Sequence, residues 1–236
     1  MAEPTESLSA SIDTLTRFLV GEQTMGETLQ RVAALAETAV GADLTGVTLV
    51  NSDGRPETAV CTDPETAVVD EMQYIVGDGP CLTAFREMRM VSVPSMRQER
   101  RWRDVVRCAE EKGIRSSLSA PLIVGERGIG ALNFYARSEN AFADDDEETA
   151  QTFALHSAVL LANAQAYWNA YDLGQQLEQA MVSRASIEQA KGILIEQSGV
   201  TADEAFALLK RASQRENRKL REIASEIVAH AQDRRR

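Results

Sequence analysis

Cationic side chains are concentrated near the C-terminal end of the chain, where they could bind a polyanion. Six of them fall within residues 210–221, in which Glu216 is the only acidic residue. They are Lys210, Arg211, Arg215, Arg218, Lys219 and Arg221. Guanidinium and ammonium groups hold phosphates by charge-assisted hydrogen bonds, and the first turn of a helix offers backbone amides to the same ligand. The segment therefore indicates a phosphate-binding surface, with an ordinary solvated helix face as the alternative.

Residues that could support catalysis or hold a metal are scattered. The sequence contains no nucleophile elbow, paired-carboxylate motif or phosphate loop, and the glycine-rich turn at 77–80 lacks the lysine and the spacing of such a loop. Cys61, Cys81 and Cys108 form no CxxC pair, and the two histidines are far apart. Cys81 at a helix start could sense oxidants if it is exposed, or could be a small buried side chain. We therefore predict a protein that is not an enzyme, with no catalytic residues, metal or resident cofactor.

The cations belong to a C-terminal segment whose sequence pattern predicts three short helices. The first ends near Gln197, because Ser198-Gly199 supplies a C-terminal stop. The second opens at Thr201–Glu204 with a capping box, in which the hydroxyl and the carboxylate accept from free amides. The third carries an apolar stripe formed by Leu220, Ile223, Ala224, Ile227 and Val228. A small all-α unit follows, with Phe206, its only aromatic residue, expected in the core.

A long helix is predicted from Asp144 to about Gln197. Its acidic start suits the positive end of the helix dipole. The apolar face changes phase after Gly174, which indicates a kink or hinge at that residue. An apolar seam on so long a helix requires a partner helix, and a parallel coiled coil is the simplest solution. We therefore expect a homodimer.

The larger N-terminal part of the chain alternates between helices and hairpins. Helical spacing covers residues 8–40, including Phe18 and Leu19, and again 64–74, 81–88 and 101–112. Strand patterns cover 44–50, 58–62, 91–93, 116–124 and 129–137, with turn residues at 51–54 and 125–128. Five strands in hairpins with helices between them predict an α+β fold with an antiparallel sheet flanked by helices.

Charge is divided unevenly along the chain. Residues 175–236 hold 11 Lys and Arg against 9 Asp and Glu, whereas the other 174 residues hold 14 against 27. An acidic body repels nucleic acid, so any such binding must be local to the C-terminal segment. The sequence shows no targeting signal and no apolar run long enough for a membrane span. We therefore expect a cytoplasmic protein with free thiols.

The C-terminal segment resembles the ANTAR domain, an RNA-binding antiterminator module. The resemblance is carried by Ala190-Lys191-Gly192-Ile193-Leu194, Glu204-Ala205-Phe206 and Asn217-Arg218-Lys219-Leu220, with Ser213 where the family commonly has methionine. It implies a three-helix domain over residues 175–232, reached through a helical linker or coiled coil at 166–183. RNA contacts are expected from cations of this module, namely Arg184, Lys191, Arg211, Arg215, Arg218 and Lys219. The shape and loop bases of a hairpin are expected to matter more than base stacking.

The N-terminal body resembles a GAF sensor domain over residues 10–165. Its matching features are Gly77-Asp78-Gly79-Pro80-Cys81, Ser119-Ala120-Pro121-Leu122 and Gly128-Ile129-Gly130-Ala131-Leu132-Asn133-Phe134. The resemblance implies a pocket for an unknown small ligand between the sheet and its helices. The residues expected to line that pocket, unless they are plain core, are Tyr74, Cys81, Phe85, Trp102, Ser119 and Phe134.

These observations favour a transcription antitermination regulator. Its GAF domain would sense a small ligand or redox state and control the binding of paired ANTAR modules to tandem stem-loops in mRNA leaders. Two alternatives remain at this stage. Three short helices with a basic third helix also describe a DNA-binding helix-turn-helix, and the same bundle could instead dock a partner protein.

Overall fold

The computed structural model describes residues 10–15, 24–51 and 53–233, with the backbone alone at 232 and 233. Phe18 and Leu19 lie outside these residues. The helices of the N-terminal part are α1 (10–15), α2 (Met25–Val40), α3 (Pro64–Val76), α4 (Pro80–Glu87) and α5 (Arg103–Glu111), with a 3-10 turn at Met96–Gln98. The strands are β1 (Leu44–Val50), β2 (Pro56–Cys61), β3 (Val91–Val93), β4 (Ser116–Val124) and β5 (Arg127–Ala136). The remaining helices are α6 (Asp144–Ser198), α7 (Ala202–Glu216) and α8 (Leu220–Asp233).

The chain forms two compact units, which divide between Trp168 and Asn169. Over the described residues, the first unit, here called the sensor unit, contains one five-stranded sheet in the order β2-β1-β5-β4-β3. Every neighbouring pair of strands is antiparallel. The predicted α+β fold with an antiparallel sheet, a long helix and shorter C-terminal helices is therefore confirmed.

Different helices cover the two faces of the sheet. Phe134 of β5 packs on the face covered by α2 and the start of α6, in a core that contains Phe153. The next residue, Tyr135, lies in a second core with Val69 of α3. Because side chains alternate along a strand, Asn133 lies on the same face as Tyr135. The face beneath α3, α4 and α5 therefore receives polar side chains from the middle of β5.

The long helix α6 is continuous over 55 residues. Its first turn carries four acidic residues, as its position at the positive end of the helix dipole favours. The helix continues through Gly174, so the predicted hinge does not interrupt it. It ends at Ser198, where Gly199 adopts a φ of 66° and its amide donates to the Ile195 carbonyl at 2.9 Å. The predicted glycine stop is confirmed.

The second unit, here called the output unit, contains the end of α6 together with α7 and α8. A small core joins the three helices through Ala190, Leu209, Ile223 and Ala224. The predicted capping box at the start of α7 is present, since the Glu204 amide donates to Thr201 Oγ1 at 3.3 Å and the Thr201 amide donates to Glu204 Oε2 at 2.8 Å. This capping fixes the start of α7 and hence the direction of the cations that follow on it.

Candidate functional site

The six residues predicted to line a ligand pocket are divided between different parts of the sensor unit. Tyr74 and Cys81 lie beneath the sheet on the α3 and α4 side, and Ser119 pairs in register with Asn133 on that face. Phe134 points to the opposite face and belongs to the core beneath α2 and α6. The structure therefore does not bring Phe134 together with Tyr74 and Cys81.

The other two predicted pocket residues occupy separate positions. Trp102 is buried in the core of α3 and α5. Phe85 is half-buried on α4 and approaches the backbone of β5, where a Cβ added to Gly128 would lie 3.2 Å from its ring.

Polar side chains that the sequence analysis missed gather around Tyr74 and Cys81. We call this group the polar cluster, and its members are Thr48, Thr58, Asp70, Gln73, Tyr74, Cys81, Asn133 and Tyr135. Asp70 is fully buried at its centre. Its Oδ1 accepts from Tyr135 Oη at 2.5 Å and from Asn133 Nδ2 and Gln73 Nε2 at 3.3 Å. Its Oδ2 accepts from Thr58 Oγ1 at 3.4 Å.

A second set of hydrogen bonds joins the sheet to the start of α4. Asn133 Nδ2 donates to Thr48 Oγ1 and lies 3.1 Å from Cys81 Sγ. The Cys81 amide donates to Gln73 Oε1 at 2.8 Å. A Cβ on Gly79 would lie only 2.3 Å from that same Gln73 oxygen, so glycine is required for the contact. The predicted glycine-rich turn thus serves to connect α4 to the polar cluster.

One buried acceptor of the polar cluster remains unused. Asn133 Oδ1 has no hydrogen-bond partner among the residues that the structure describes. A buried polar atom without a partner is costly, so such atoms are uncommon and often mark sites where a ligand or water binds. Asn133 is thus a candidate for accepting a hydrogen bond from a ligand.

Burial changes the acid–base properties of the polar cluster. Removal from solvent raises the pKa of Asp70 to about 7, although hydrogen bonds from Tyr135, Thr58 and Asn133 oppose the rise. Burial, with the nearby Asp70 carboxylate, raises the pKa of the Cys81 thiol to about 12. The same two causes raise the pKa of Tyr74 and Tyr135. Cys81 therefore remains a protonated thiol at neutral pH, and the reactive thiolate that an exposed helix start would favour is not formed.

Asp70 is expected to make the stability of the protein dependent on pH. Its pKa is raised from 3.8 in the unfolded chain to about 7, so the folded state binds more protons between these values and the free energy of unfolding falls as pH rises through them. The full effect is on the order of 4 kcal/mol. Asparagine does not titrate, so the free energy of unfolding of Asp70→Asn should not fall in this way. The difference between the variant and the parent should therefore shift in favour of the variant as pH rises from 5 to 8, measured by urea unfolding. Glu71→Gln, at an exposed position of the same helix, is the control, and an equal change in both variants would contradict the assignment.

The six cations predicted to bind RNA are all on the output unit, and three of them are paired with carboxylates. Lys191 is largely covered and lies 2.9 Å from both oxygens of Glu188. Arg215 contacts Glu216 at 3.0 Å. Arg218 contacts three carboxylates, with Glu226 the nearest at 2.8 Å. A phosphate must compete with these carboxylates for the same donors.

The other three predicted cations are open to solvent. Arg184, Arg211 and Lys219 are exposed and have no ion-pair partner within the described parts of the chain. Their charges can meet a phosphate without breaking an existing pair. Of the predicted surface, these three side chains are the ones most available to a polyanion.

Phe206 does not occupy the position expected of it. Ala205 and Leu209 fill the buried positions of α7, whereas the Phe206 side chain is 43% exposed. The prediction that Phe206 belongs to the core is wrong, because adjacent residues on a helix point about 100° apart. An exposed aromatic ring can stack on an unpaired base, so Phe206 joins the candidate RNA surface.

A metal site and a membrane-spanning helix are both absent from the described residues. No group of three or more histidine, cysteine or acidic side chains is placed to hold a metal ion there. Among the helices in that part of the chain, none combines the length and the apolar character that crossing a membrane requires.

Comparison with protein-family models identifies two domains in this chain. Residues 22–162 match the GAF domain, and residues 175–228 match the ANTAR domain. None of the curated proteins compared with the chain matches it.

Solved structures share the fold of the sensor unit but are distant from it in sequence. The GAF domain of a phosphoenolpyruvate-protein phosphotransferase from Coxiella burnetii is 16% identical with a TM-score of 0.56, covering 71% of this chain and 99% of that one. The corresponding Acinetobacter domain is 13% identical with a TM-score of 0.54, covering 70% and 97%. Free methionine-R-sulfoxide reductase from Neisseria meningitidis, solved with its substrate, is 18% identical with a TM-score of 0.54, covering 70% and 91%. At these identities the likeness shows the fold alone.

Proposed function

The chain belongs to the GAF domain family and carries an ANTAR domain C-terminal to the GAF domain, and we propose that it is a transcription antitermination regulator. The two domains make it a signalling regulator with an RNA-binding output domain. Beyond this, we propose that the ANTAR modules of two chains engage two adjacent RNA hairpins and so prevent formation of a terminator stem. We propose domain boundaries of 10–165 for the GAF domain, 166–183 for the helical linker and 175–232 for the ANTAR domain.

The observation that carries the proposal is the charge arrangement of the output unit. Arg184, Arg211 and Lys219 are exposed cations without carboxylate partners in the described structure. The rest of the chain, residues 1–174, is strongly acidic, with 14 Lys and Arg against 27 Asp and Glu. Non-specific attraction of nucleic acid to the whole protein is thereby weakened, which supports a binding surface confined to the output unit.

Dimerisation is proposed to occur along the exposed part of α6. Residues 169–182 are exposed on all sides of the helix and include Leu173, Leu177 and Met181, each more than half exposed. The spacing of four places these three side chains along one side of the helix. Such a row favours a second copy of the same helix as its partner, as in a coiled coil, and linking two RNA-binding modules raises their combined affinity.

Breaking this row should dissociate the dimer. Leu173→Lys/Leu177→Lys is expected to convert a dimer to a monomer in sedimentation equilibrium, because two charges cannot be buried between apolar helices. Gln175→Lys/Gln179→Lys adds the same charge on the same exposed stretch and should leave the dimer intact. Equal dissociation by both variants would indicate simple charge repulsion and would contradict dimerisation through the row of Leu173, Leu177 and Met181.

The sensor unit is proposed to respond to a small polar ligand at the polar cluster. Asn133 Oδ1 is buried and lacks a partner among the described residues, so it can accept from a ligand donor. The raised pKa of Cys81 argues against oxidation of that thiol as the signal. GAF and ANTAR are both regulatory domains, which supports a regulator that is not an enzyme.

RNA selectivity tests the proposed function. The full chain is titrated in gel-shift experiments with RNA carrying two adjacent stem-loops with randomised loop bases, with the single stem-loop and with matched duplex DNA. Selective retention of the two-hairpin RNA, with an affinity that falls steeply as salt rises, is the expected result. Equal or better binding of duplex DNA would support a promoter-binding regulator. Binding of none of the three probes would support docking of a protein partner.

A further inference from the structure

The sensor unit concentrates its cations in one short segment. Residues 1–174 contain 14 Lys and Arg against 27 Asp and Glu. Seven of those 14 cations lie between residues 97 and 115, before and along α5. On a domain whose remaining surface repels anions, so local a concentration of positive charge indicates a local binding role.

An open cleft of about 320 Å³ lies within this segment. We call it the α5 cleft, and it is lined by Glu99, Arg100, Arg103, Val106, Arg107 and Glu110. No member of the polar cluster lines it, so the two sites are separate. Its volume lies at the lower end of the range for small-molecule sites.

Glu99 does not neutralise the cleft, because its own charge is already satisfied. The Arg101 guanidinium donates to both of its oxygens at 2.6 to 3.0 Å. The backbone amides of Arg100 and Arg101 donate to its Oε1 at 2.7 and 2.8 Å. These hydrogen bonds, with that from Arg101 the largest, lower the pKa of Glu99 to about 2. Glu99 thus fixes the loop before α5 and remains ionised and saturated.

Two guanidinium groups of the cleft remain in excess. Arg103 has no hydrogen-bond or ion-pair partner among the residues that the structure describes. Arg100 donates to the backbone carbonyl of Arg97 at 3.0 Å, which carries no net charge. Both side chains are exposed. Their charges are therefore available to an anion.

The third arginine of the cleft and its remaining acid have partners on its rim. Arg107 is 3.0 Å from Asp104, and both side chains are more than half exposed, so the pair is weak and readily exchanged. Glu110 lies 3.9 Å from Arg115, at the limit of an ion pair. The cleft therefore combines two available guanidiniums, a third that can turn inward, and one carboxylate drawn toward its edge.

We infer that the α5 cleft binds a small phosphorylated molecule. Guanidinium groups match the geometry of phosphoryl oxygens and bind them with paired hydrogen bonds, which a lysine cluster would not do. Six of the seven cations in the segment are arginine. The limited volume favours a compact ligand, and the two available guanidiniums favour one with two or more negative charges. This inference does not depend on the proposed antitermination activity, because the titration with pyrophosphate contains no RNA.

Calorimetric titration of the full chain with inorganic pyrophosphate tests the inference. The parent is expected to bind one equivalent per chain, and Arg100→Gln/Arg103→Gln to raise the Kd roughly tenfold or more, since both charge-assisted contacts are lost. Glu110→Gln should lower the Kd roughly threefold by removing the carboxylate from the cleft. The control is Arg55→Gln/Arg127→Gln, which removes two exposed arginines of the sensor unit outside the cleft and should leave the Kd within about twofold.

Three results would overturn the inference. The first is no binding of pyrophosphate by the parent, and the second is equal weakening by the cleft variant and the control. The third is a cleft variant that retains pyrophosphate but loses affinity for RNA, which would make the cleft part of an RNA contact. The four substituted arginines are exposed and Glu110 is half-buried at the rim of the cleft, so the thermal unfolding midpoints of the variants should match that of the parent, and a change in Kd then reports on the site and not on the fold.

Discussion

Replacing Arg211 and Lys219 with glutamine is expected to lower the affinity for two-hairpin RNA by roughly tenfold for each cation removed. Both side chains are exposed and lack carboxylate partners in the described structure, so each can contact phosphate directly. The loss should affect all bound sequences alike and should reduce the slope of log affinity against log salt by roughly 1.5 to 2. Gel-shift titrations of the full chain at several salt concentrations measure both quantities.

Arg55→Gln/Arg127→Gln is the matched control for this double variant. It removes the same net charge from exposed positions of the sensor unit, so it separates a local contact from the overall charge of the protein. Affinity and salt slope should both stay near the parental values. If the control lost as much affinity as the Arg211→Gln/Lys219→Gln variant, long-range electrostatics would account for the effect and the proposed contacts would be wrong.

The paired cations should behave in the opposite way when their carboxylates are removed. Glu226 is the nearest of the three carboxylates around Arg218, at 2.8 Å. Glu226→Gln removes this contact and a negative charge from the surface, and leaves Arg218 with the weaker contacts to Glu216 and Glu222. The RNA affinity of this variant should rise by roughly threefold, because exposed ion pairs of this kind contribute little stability of their own. A loss of affinity would instead show that Glu226 positions Arg218 for RNA.

Much of the fold could be predicted because local signals agreed with the tertiary structure. The capping box at Thr201–Glu204 and the stop at Gly199 depend on neighbouring backbone groups alone, so the sequence contains all the information for them. The strand-forming segments of the sensor unit and the turn residues between them were sufficient to identify the α+β class. The output unit was equally accessible, since three apolar stripes of helical spacing meet in its core.

The site was harder to predict, because it depends on which face of a strand each residue occupies. Phe134 was expected beside Cys81, yet alternation places Asn133 and Tyr135 there and turns Phe134 to the other core. Gly46 in the middle of β1 is a sequence signal that could have indicated the buried carboxyl. A Cβ at that position would lie 2.8 Å from Asp70 Oδ2, so glycine makes room for the buried carboxyl. Neither the partners of Asp70 nor its raised pKa could be inferred without this packing.

The six cations predicted to bind RNA differ in the structure because only some of them form ion pairs. All six cations looked equivalent in the sequence, although only some of them are paired in the structure. Spacing of three or four residues could have indicated Glu188 beside Lys191 and Glu222 beside Arg218. The contact of Arg218 with Glu226 spans eight residues and the first turns of α8, so it follows from the path of the chain before that helix.

Gly130→Ala is expected to destabilise the sensor unit by about 3 kcal/mol or more. Gly130 pairs with Leu49 of β1 and with Leu122 of β4, in the middle of the sheet. A Cβ at this position would lie 2.0 Å from the Thr48 carbonyl oxygen and 3.1 Å from the Leu49 Cα. Both obstacles are backbone atoms, which cannot rotate away as a side chain could. The two central strands would have to separate, and their hydrogen bonds would lengthen along with them.

Urea unfolding followed by tryptophan fluorescence measures this effect, with Gly26→Ala as the matched control. Gly26 is exposed near the start of α2, and an added Cβ there meets nothing closer than 4.0 Å. Alanine at position 26 should leave stability unchanged or raise it by up to about 1 kcal/mol, because alanine favours the helix and restricts the unfolded chain. Since Thr48 also belongs to the polar cluster, Gly130→Ala should disturb the hydrogen bond from Asn133 to Thr48. An unfolding midpoint equal to that of the parent would show that β1 and β5 do not approach as closely as described. The same result would argue against the placement of Thr48 beside Asn133, because that placement depends on the pairing of these two strands.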